Sequence, residues 1–370
     1  MIMNLNCFMP VRVICGKSCV QNNANILKEA GKRCLLVTGK NSAVKSGAMQ
    51  DVCAVLNSCG IKYEIFDKIK QNPLVTDCFE AGKRAREFQA DFIVGIGGGS
   101  ALDAAKAVAI FSADSSLDAR SIYTRSVPAA NLPLYLVGTT AGTGSEVTGV
   151  SVLTDIHGFK KSISGADCYA DVAFCDWKYT CSADYDVSVS TALDSYAHAF
   201  ESYFAETAND ISSLYAIRAL ELLWPNLVTF FNVPGVQPDE KHREELYTAS
   251  LYAGLAINVT GTAFPHTAGY ILTEKYGISH GKACTAFHPQ LMEKAEKYRF
   301  DRLEAVCELL HTDKNEILSV ITGLTNVKIN ITEAQATEYC SRWTSPVKNF
   351  ERTPGGYTAQ EAVQGLLALN

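Results

Sequence analysis

The chain has 370 residues, 47% apolar and 19% charged, a length that implies about two domains with an ordinary core. Its net charge of −6 and pI near 5.7 leave it without the basic face that general nucleic-acid or anionic-membrane binding needs. Its apolar stretches fall far short of the roughly 20 residues of a membrane span, and the opening MIMNLNCFMPVRVICGK lacks a signal-peptide run, so a cytoplasmic protein is expected.

Short apolar strands alternate with helical stretches through the first half. RCLLVT at 33–38 reads as a buried strand, 44–59 as a helix stopped by Gly60, and KYEIF at 62–66 as a strand. A helix is expected over 73–89, with Pro73 near its first turn, then a strand at 91–96 and a helix from Ser100 to Phe111. LYLVG at 134–138 and DVAFC at 171–175 complete the strands, and GVSVLTDIHGFKKSISG between them reads as a hairpin turning at His157-Gly158. This order predicts a parallel sheet with helices on both faces. From about 184 the pattern turns helical almost throughout, with a loop at Pro234–Pro238. Pro265 interrupts a helical pattern and predicts a kink or break just before His266. The expected division is an α/β nucleotide-binding domain over 1–183 and an all-helical domain over 184–370.

The 13 cysteines include no Cys-x-x-Cys pair. Cys15 and Cys19, or Cys175 and Cys181, have loosely metal-like spacing, but a zinc ribbon needs two close pairs. Reduced, mostly buried thiols are the expectation.

Three segments carry chemistry. Strand 91–96 runs into Gly97-Gly98-Gly99-Ser100. Glycines there let the backbone approach a ligand, and the following helix N-terminus favours an anion. It is neither G-x-G-x-x-G nor a P-loop; the plainer reading is a tight strand-to-helix turn. GTTAGTGSEVTG at 138–149 places Thr139, Thr140, Thr143 and Ser145 among glycines after another strand, where parallel sheets bind ligands. In TALDSYAHAFESYF, Asp194 and His198 stand four apart on one helix face. His266 and His280 follow in HTAGYILTEKYGISHG. One carboxylate and three imidazoles suit a divalent metal such as iron or zinc. His157, His242 and His311 read as surface residues, and His288 as structural but near the site.

With GIGGGSALDAAKAVA, GTTAGTGSEVT, TALDSYAHAFESY and GISHG in this order, nearly the whole chain resembles the iron-containing (group III) alcohol dehydrogenases. The resemblance implies a dehydroquinate-synthase-like architecture, with a metal in the cleft between the two domains. It implies Asp194, His198, His266 and His280 as metal ligands, with Fe2+ the expected ion, although an Asp/His3 shell also suits Zn2+. It places a pyrophosphate on Gly97, Gly98, Gly99 and Ser100, and Asp103 near the nicotinamide. Thr139, Thr140, Thr143, Ser145 and Lys160 would line the cofactor groove, and a homodimer is the family expectation. The implied reaction is reversible hydride transfer between NAD(P)(H) and a small aldehyde or alcohol.

Three departures bear on specificity. Gly39 stands where many NAD-dependent members carry an Asp, with Lys40 and Ser42 beside it; losing a carboxylate and adding a cation favours the 2′-phosphate of NADP. Tyr270 replaces a further histidine to which the family pattern gives a part in proton transfer. The prolines usual around the last strand are missing. Tyr270 with GISHGKAC looks most like the phosphonoacetaldehyde-reductase branch. Weighed against this are a glycerol dehydrogenase or a dehydroquinate-synthase-like lyase on the same scaffold, and a non-catalytic nucleotide-binding sensor.

Overall fold

A computed structural model describes residues 7–344 and 346–370, which form two compact units divided at Ala183/Asp184. The first contains β1 (Arg12–Cys15), α1 (Cys19–Asn22), α2 (Ala24–Ala30), β2 (Arg33–Thr38), α3 (Ser42–Lys45), α4 (Ala48–Ser58), β3 (Lys62–Phe66), α5 (Val75–Phe88), β4 (Phe92–Gly97), α6 (Gly99–Ala113), β5 (Leu134–Gly138), β6 (Val150–Thr154), β7 (Lys160–Ser164) and β8 (Val172–Cys175). Phe8 belongs with the second unit, where its carbonyl accepts a hydrogen bond from Asn258 Nδ2 (3.0 Å).

Six strands form one all-parallel sheet in the order β1-β8-β5-β4-β2-β3. Side chains alternate between its faces. Cys34, Leu36, Phe92, Val94, Ile96, Tyr135, Val137 and Phe174 pack with Leu27, Val52 and Leu56 of α2 and α4. On the opposite face Gly95 admits α6 so closely that a Cβ there would lie 2.5 Å from the Ala105 Cβ. Helices therefore cover both faces. From β2 the chain moves outward to β3 and then back across to β4, so the connections reverse between β2 and β4. That is the place where such sheets bind ligands.

Local chemistry moved several boundaries. The helix expected over 44–59 is two pieces, because Gly47 takes φ +83° between α3 and α4. Pro73 lies two residues ahead of α5, not in its first turn. An edge strand not expected from the sequence, β1, pairs with β8 in register Arg12↔Val172 through Cys15↔Cys175. The hairpin is present as β6 and β7, closed by Asp155, whose carboxylate accepts the N–H groups of His157 and Phe159.

The second unit is helical: α7 (Tyr185–Phe204), α8 (Asp210–Asn232), α9 (Glu240–Thr260), α10 (Phe264–Tyr276), α11 (His280–Thr285), α12 (His288–Tyr298), α13 (Phe300–Leu310), α14 (Lys314–Thr325), α15 (Glu333–Cys340), α16 (Lys348–Glu351) and α17 (Ala359–Leu367). Asp184 caps α7 by accepting the Val187 N–H (2.9 Å), worth about 1 kcal/mol. The α7 helix is buried along most of its length, including Leu193, Tyr196, Phe200 and Phe204, and packs on α8, α9 and α11. Pro265 does not kink a continuous helix. The break is complete: α9 ends at Thr260, and Pro265 sits in the first turn of α10, where its missing N–H costs nothing.

Candidate metal centre and nucleotide cradle

The long, buried α7 supplies the rigid side of the candidate metal centre. Asp194, His198 and Glu201 fall at i, i+4 and i+7, one face of the helix. His266 comes from the first turn of α10 and His280 opens α11. Two glycines decide how closely these helices meet. A Cβ on Gly281 would lie 1.8 Å from the Ser190 carbonyl oxygen of α7 and 2.8 Å from the Asp194 nitrogen. A Cβ on Gly269 of α10 would lie 2.9 Å from the Ala283 carbonyl oxygen of α11. Hydroxyls of Ser190 and Ser279, 2.9 Å apart, join α7 to the residue preceding α11.

The result is a carboxylate oxygen surrounded by imidazole nitrogens. Asp194 Oδ1 lies 3.6 Å from His266 Nε2, 3.7 Å from His280 Nε2 and 3.9 Å from His198 Nε2. The His198 and His266 rings stack with centroids 4.5 Å apart. Asp194, His198 and His266 are buried and His280 is half-buried. These separations are too long for hydrogen bonds. They are close to the edge of about 3.4 Å between oxygen and nitrogen donors around one tetrahedral ion. Among the described residues, Asp194 Oδ1 and His266 Nε2 are buried with no hydrogen-bond partner, a costly arrangement unless a cation engages them. The donor set and these orphaned atoms fit a divalent metal.

The electrostatics agree. Burial alone would raise the Asp194 carboxyl, but the imidazoles of His198, His280 and His266 outweigh it and hold the group well below the usual carboxylate range. Glu201 was not singled out from the sequence, although its i+7 spacing from Asp194 marks it. Its Oε1 lies 2.6 Å from His266 Nδ1 and its Oε2 accepts the Ala263 N–H (2.6 Å). Burial raises the Glu201 carboxyl, against the opposing pull of His266. A carboxylate behind a histidine fixes its tautomer, so that Nε2 presents a lone pair. Cys284 was also missed. One turn after His280, it groups with Asp194, His266 and His280, the four donor atoms lying within 4.8 Å of one another. Burial pushes its thiol up to about 11.

Tyr270 lies beside this centre, its ring parallel to that of His280 with centroids 6.1 Å apart. His288 is buried against Tyr196 and Phe200, with Nε2 3.2 Å from the Tyr196 hydroxyl. Burial lowers its pKa to about 3, so it is a neutral core residue. His157 and His311 are exposed, and His242 is partly exposed, paired with Asp239 at the start of α9.

In the α/β unit the expected cofactor residues gather at one end of the sheet. The C-terminal ends of β2, β4 and β5 are adjacent, through Thr38↔Ile96 and Gly97↔Gly138. The three glycines are held by packing. Gly97 takes φ +151°, a Cβ on Gly98 would lie 3.0 Å from Thr140 Oγ1, and one on Gly99 would lie 2.5 Å from Thr143 Cγ2. The threonine-rich loop therefore rests directly on the glycine turn. The Thr139 N–H donates to the Gly97 carbonyl (2.9 Å), while its buried Oγ1 has no hydrogen-bond partner among the described residues. Ser100 Oγ accepts the Asn72 N–H (3.3 Å). Asp103 ties the loop down: it accepts the Ser145 hydroxyl (2.6 Å) and the Val152 N–H (2.9 Å), and lies 3.5 Å from the fully buried Lys106 ammonium. Ser42 Oγ would lie 3.6 Å from a Cβ on Gly97. A side chain at Gly39 would be tight, since its Cβ would lie 3.0 Å from the Ile69 carbonyl oxygen. Lys40 is exposed just beyond, and Lys160 opens β7 opposite Thr154. A glycine turn opening a 15-residue helix at the β2/β4 reversal is chemically suited to an anionic nucleotide.

Comparison with known proteins gives the same reading. Residues 10–177 match the model for iron-containing alcohol dehydrogenase, and residues 188–334 match that for the C-terminal region of the Fe-containing alcohol dehydrogenase family. A probable alcohol dehydrogenase, EutG, of Escherichia coli is 28% identical over 86% of this chain and 80% of its own. An iron-containing alcohol dehydrogenase from Thermotoga maritima superposes with TM-score 0.90 at 33% identity, over 98% of this chain and 99% of its own. A sulfoacetaldehyde reductase from Bifidobacterium kashiwanohense, in complex with NAD+, superposes with TM-score 0.86 at 27% identity, over 99% of both chains. With an all-parallel nucleotide-type sheet, a helical unit holding an oxygen–nitrogen donor cluster, and family models covering both, the chain belongs to the iron-containing alcohol dehydrogenase family.

Proposed function

We propose that this protein is a metal-dependent, NAD(P)(H)-linked dehydrogenase that interconverts a small aldehyde and its primary alcohol. The observation that carries the reading is the Asp194 carboxylate oxygen lying 3.6–3.9 Å from three imidazole nitrogens. When bound, the ion supplies Lewis-acid polarisation of the substrate oxygen and the nicotinamide supplies or accepts the hydride.

The chain's own contribution is placement. Asp194 and His198 on α7, His266 on α10 and His280 on α11 are the residues that would hold the ion. Glu201 keeps a proton on His266 Nδ1, so Nε2 points inward as a base and not as a donor. Gly97, Gly98, Gly99 and Ser100 would hold the pyrophosphate; Thr139, Thr140, Thr143, Ser145, Asp103 and Lys160 would line the groove. Tyr270, with its ring parallel to that of His280, would pass a proton to or from the substrate oxygen.

NADP(H) is the proposed preference over NAD(H). Its support is local: Gly39 offers no ribose-gripping carboxylate, and the exposed Lys40 adds a cation next to it. Among small aldehydes a short anionic one is favoured, with phosphonoacetaldehyde reduction to 2-hydroxyethylphosphonate as the specific proposal. A relative that reduces sulfoacetaldehyde, a similar short anionic aldehyde, supports this class of substrate.

The test is oxidation of NADPH and NADH by protein reconstituted separately with Fe2+ and Zn2+, over phosphonoacetaldehyde, sulfoacetaldehyde and butanal. Metal-dependent turnover that disappears in His280→Ala is expected. No turnover with any aldehyde and metal would reject the reductase reading.

A further inference from the structure

The donor cluster contains one group to which the proposed function assigns no role. Cys284 Sγ lies 3.7 Å from His280 Nδ1 and 3.8 Å from its Nε2. With a carboxylate oxygen of Asp194 and a ring nitrogen each of His266 and His280, it forms a four-donor set spanning no more than 4.8 Å. Around a tetrahedral zinc ion, with bonds of about 2.3 Å to sulfur and 2.05 Å to nitrogen, a sulfur–nitrogen edge is about 3.6 Å. The observed separations are close to that edge. His280 and Cys284 are i and i+4 on one short helix, so both side chains face the same way. The Gly281 contact that presses α11 against α7 carries the two together towards Asp194. Cys284 is fully buried, which keeps it from external thiol chemistry.

We propose that Cys284 is a metal donor, so that the centre offers two overlapping shells. Asp194, His266 and His280 are common to both; His198 closes an oxygen–nitrogen shell and Cys284 closes one containing sulfur. Thiolate is a soft ligand and imidazole an intermediate one, so the sulfur shell favours Zn2+ over harder, oxygen-preferring ions, with Co2+ as its spectroscopic stand-in. On coordination a metal–sulfur bond forms, the S–H bond breaks and the proton leaves to water; nothing is oxidised or reduced. The proposal rests on the metal reading above and adds to it a residue and a selectivity.

The test is Co2+ titration of the metal-free full-length protein and of Cys284→Ser, followed by absorption spectroscopy. The expected result is a near-ultraviolet sulfur-to-cobalt charge-transfer band saturating at one equivalent in the wild type. In C284S the band is lost while the visible cobalt bands persist, and Zn2+ affinity measured by chelator competition falls at least about tenfold. One-equivalent visible bands with no charge-transfer band in the wild type would overturn the Cys284 assignment and leave the metal reading intact, as would a charge-transfer band that survives in C284S. No cobalt binding would overturn both. If C284S does not fold, X-ray absorption at the zinc edge of the wild-type holoprotein decides: a sulfur neighbour near 2.3 Å supports the assignment, and a shell of only oxygen and nitrogen rejects it.

Discussion

Gly281→Ala separates two opposed expectations. By helix propensity alone, alanine in α11 should stabilise the protein by up to about 1 kcal/mol. The packing reverses the sign. The new Cβ would sit 1.8 Å from the Ser190 carbonyl oxygen, and real Cβ atoms essentially never come within 3.0 Å of a neighbour, so α11 must withdraw from α7 by at least 3.0 − 1.8 = 1.2 Å. The clash is with backbone, which cannot rotate aside. Overpacking of this kind costs about 1–3 kcal/mol. The functional loss should exceed the stability loss, since metal–ligand distances tolerate only about 0.2 Å and His280 moves with the helix. We expect Zn2+ affinity to fall at least about tenfold and kcat/KM about 100-fold, with a lower Tm. Calorimetry of the metal-free protein, chelator competition and steady-state kinetics read the three quantities independently. A G281A protein that is more stable than the wild type and binds metal normally would refute the argument that this glycine sets the helix approach.

Other residues give further tests. Glu201→Gln keeps an acceptor for the Ala263 N–H but loses the charge behind His266; metal affinity should fall about 10–100-fold by chelator competition with little change in Tm. Glu201→Ala should add about 1–3 kcal/mol of destabilisation by leaving that buried N–H unpaired, and equal Tm values for the two variants would argue against it. Lys40→Ala should raise the KM for NADPH about five-fold and leave that for NADH nearly unchanged, the expected loss for one exposed charge on a phosphate; equal shifts would remove Lys40 from 2′-phosphate recognition. For His288 the folded-state pKa is depressed from 6.5 to about 3. Between those values the unfolded chain binds a proton that the fold excludes, so this stability is present above pH 6.5 and lost as pH falls towards 3. In His288→Gln the slope of unfolding free energy against pH over pH 4–6 should be shallower than wild type by up to about 1.4 kcal/mol per unit; parallel slopes would show that His288 titrates normally.

Much of the architecture was legible in the chain, because its causes are local. Strand-length apolar runs alternating with helical periods imply a parallel sheet, and β2, β3 and β5 occupy the residues that their composition marks. The four-residue spacing of Asp194 and His198 needs only the pitch of one helix. Strand β1 escaped notice because it is a four-residue edge strand whose pairing partner is about 160 residues away. No local period records such a contact.

The centre shows the same division. Donor chemistry grouped one carboxylate and three histidines as a candidate metal shell, and family resemblance named them as ligands; the meeting of their segments depends on how closely three helices approach. That approach is set by the absence of side chains at Gly269 and Gly281, and a missing Cβ has no meaning until the opposing backbone is known. Glu201 and Cys284 gained their significance in the same way. Each is one residue in a helical run, and only the fold places one 2.6 Å behind a histidine and the other among three metal-type donors. Periodicity is a property of neighbours along the chain and can be read there. Donor geometry is a property of neighbours in space, decided by long-range packing.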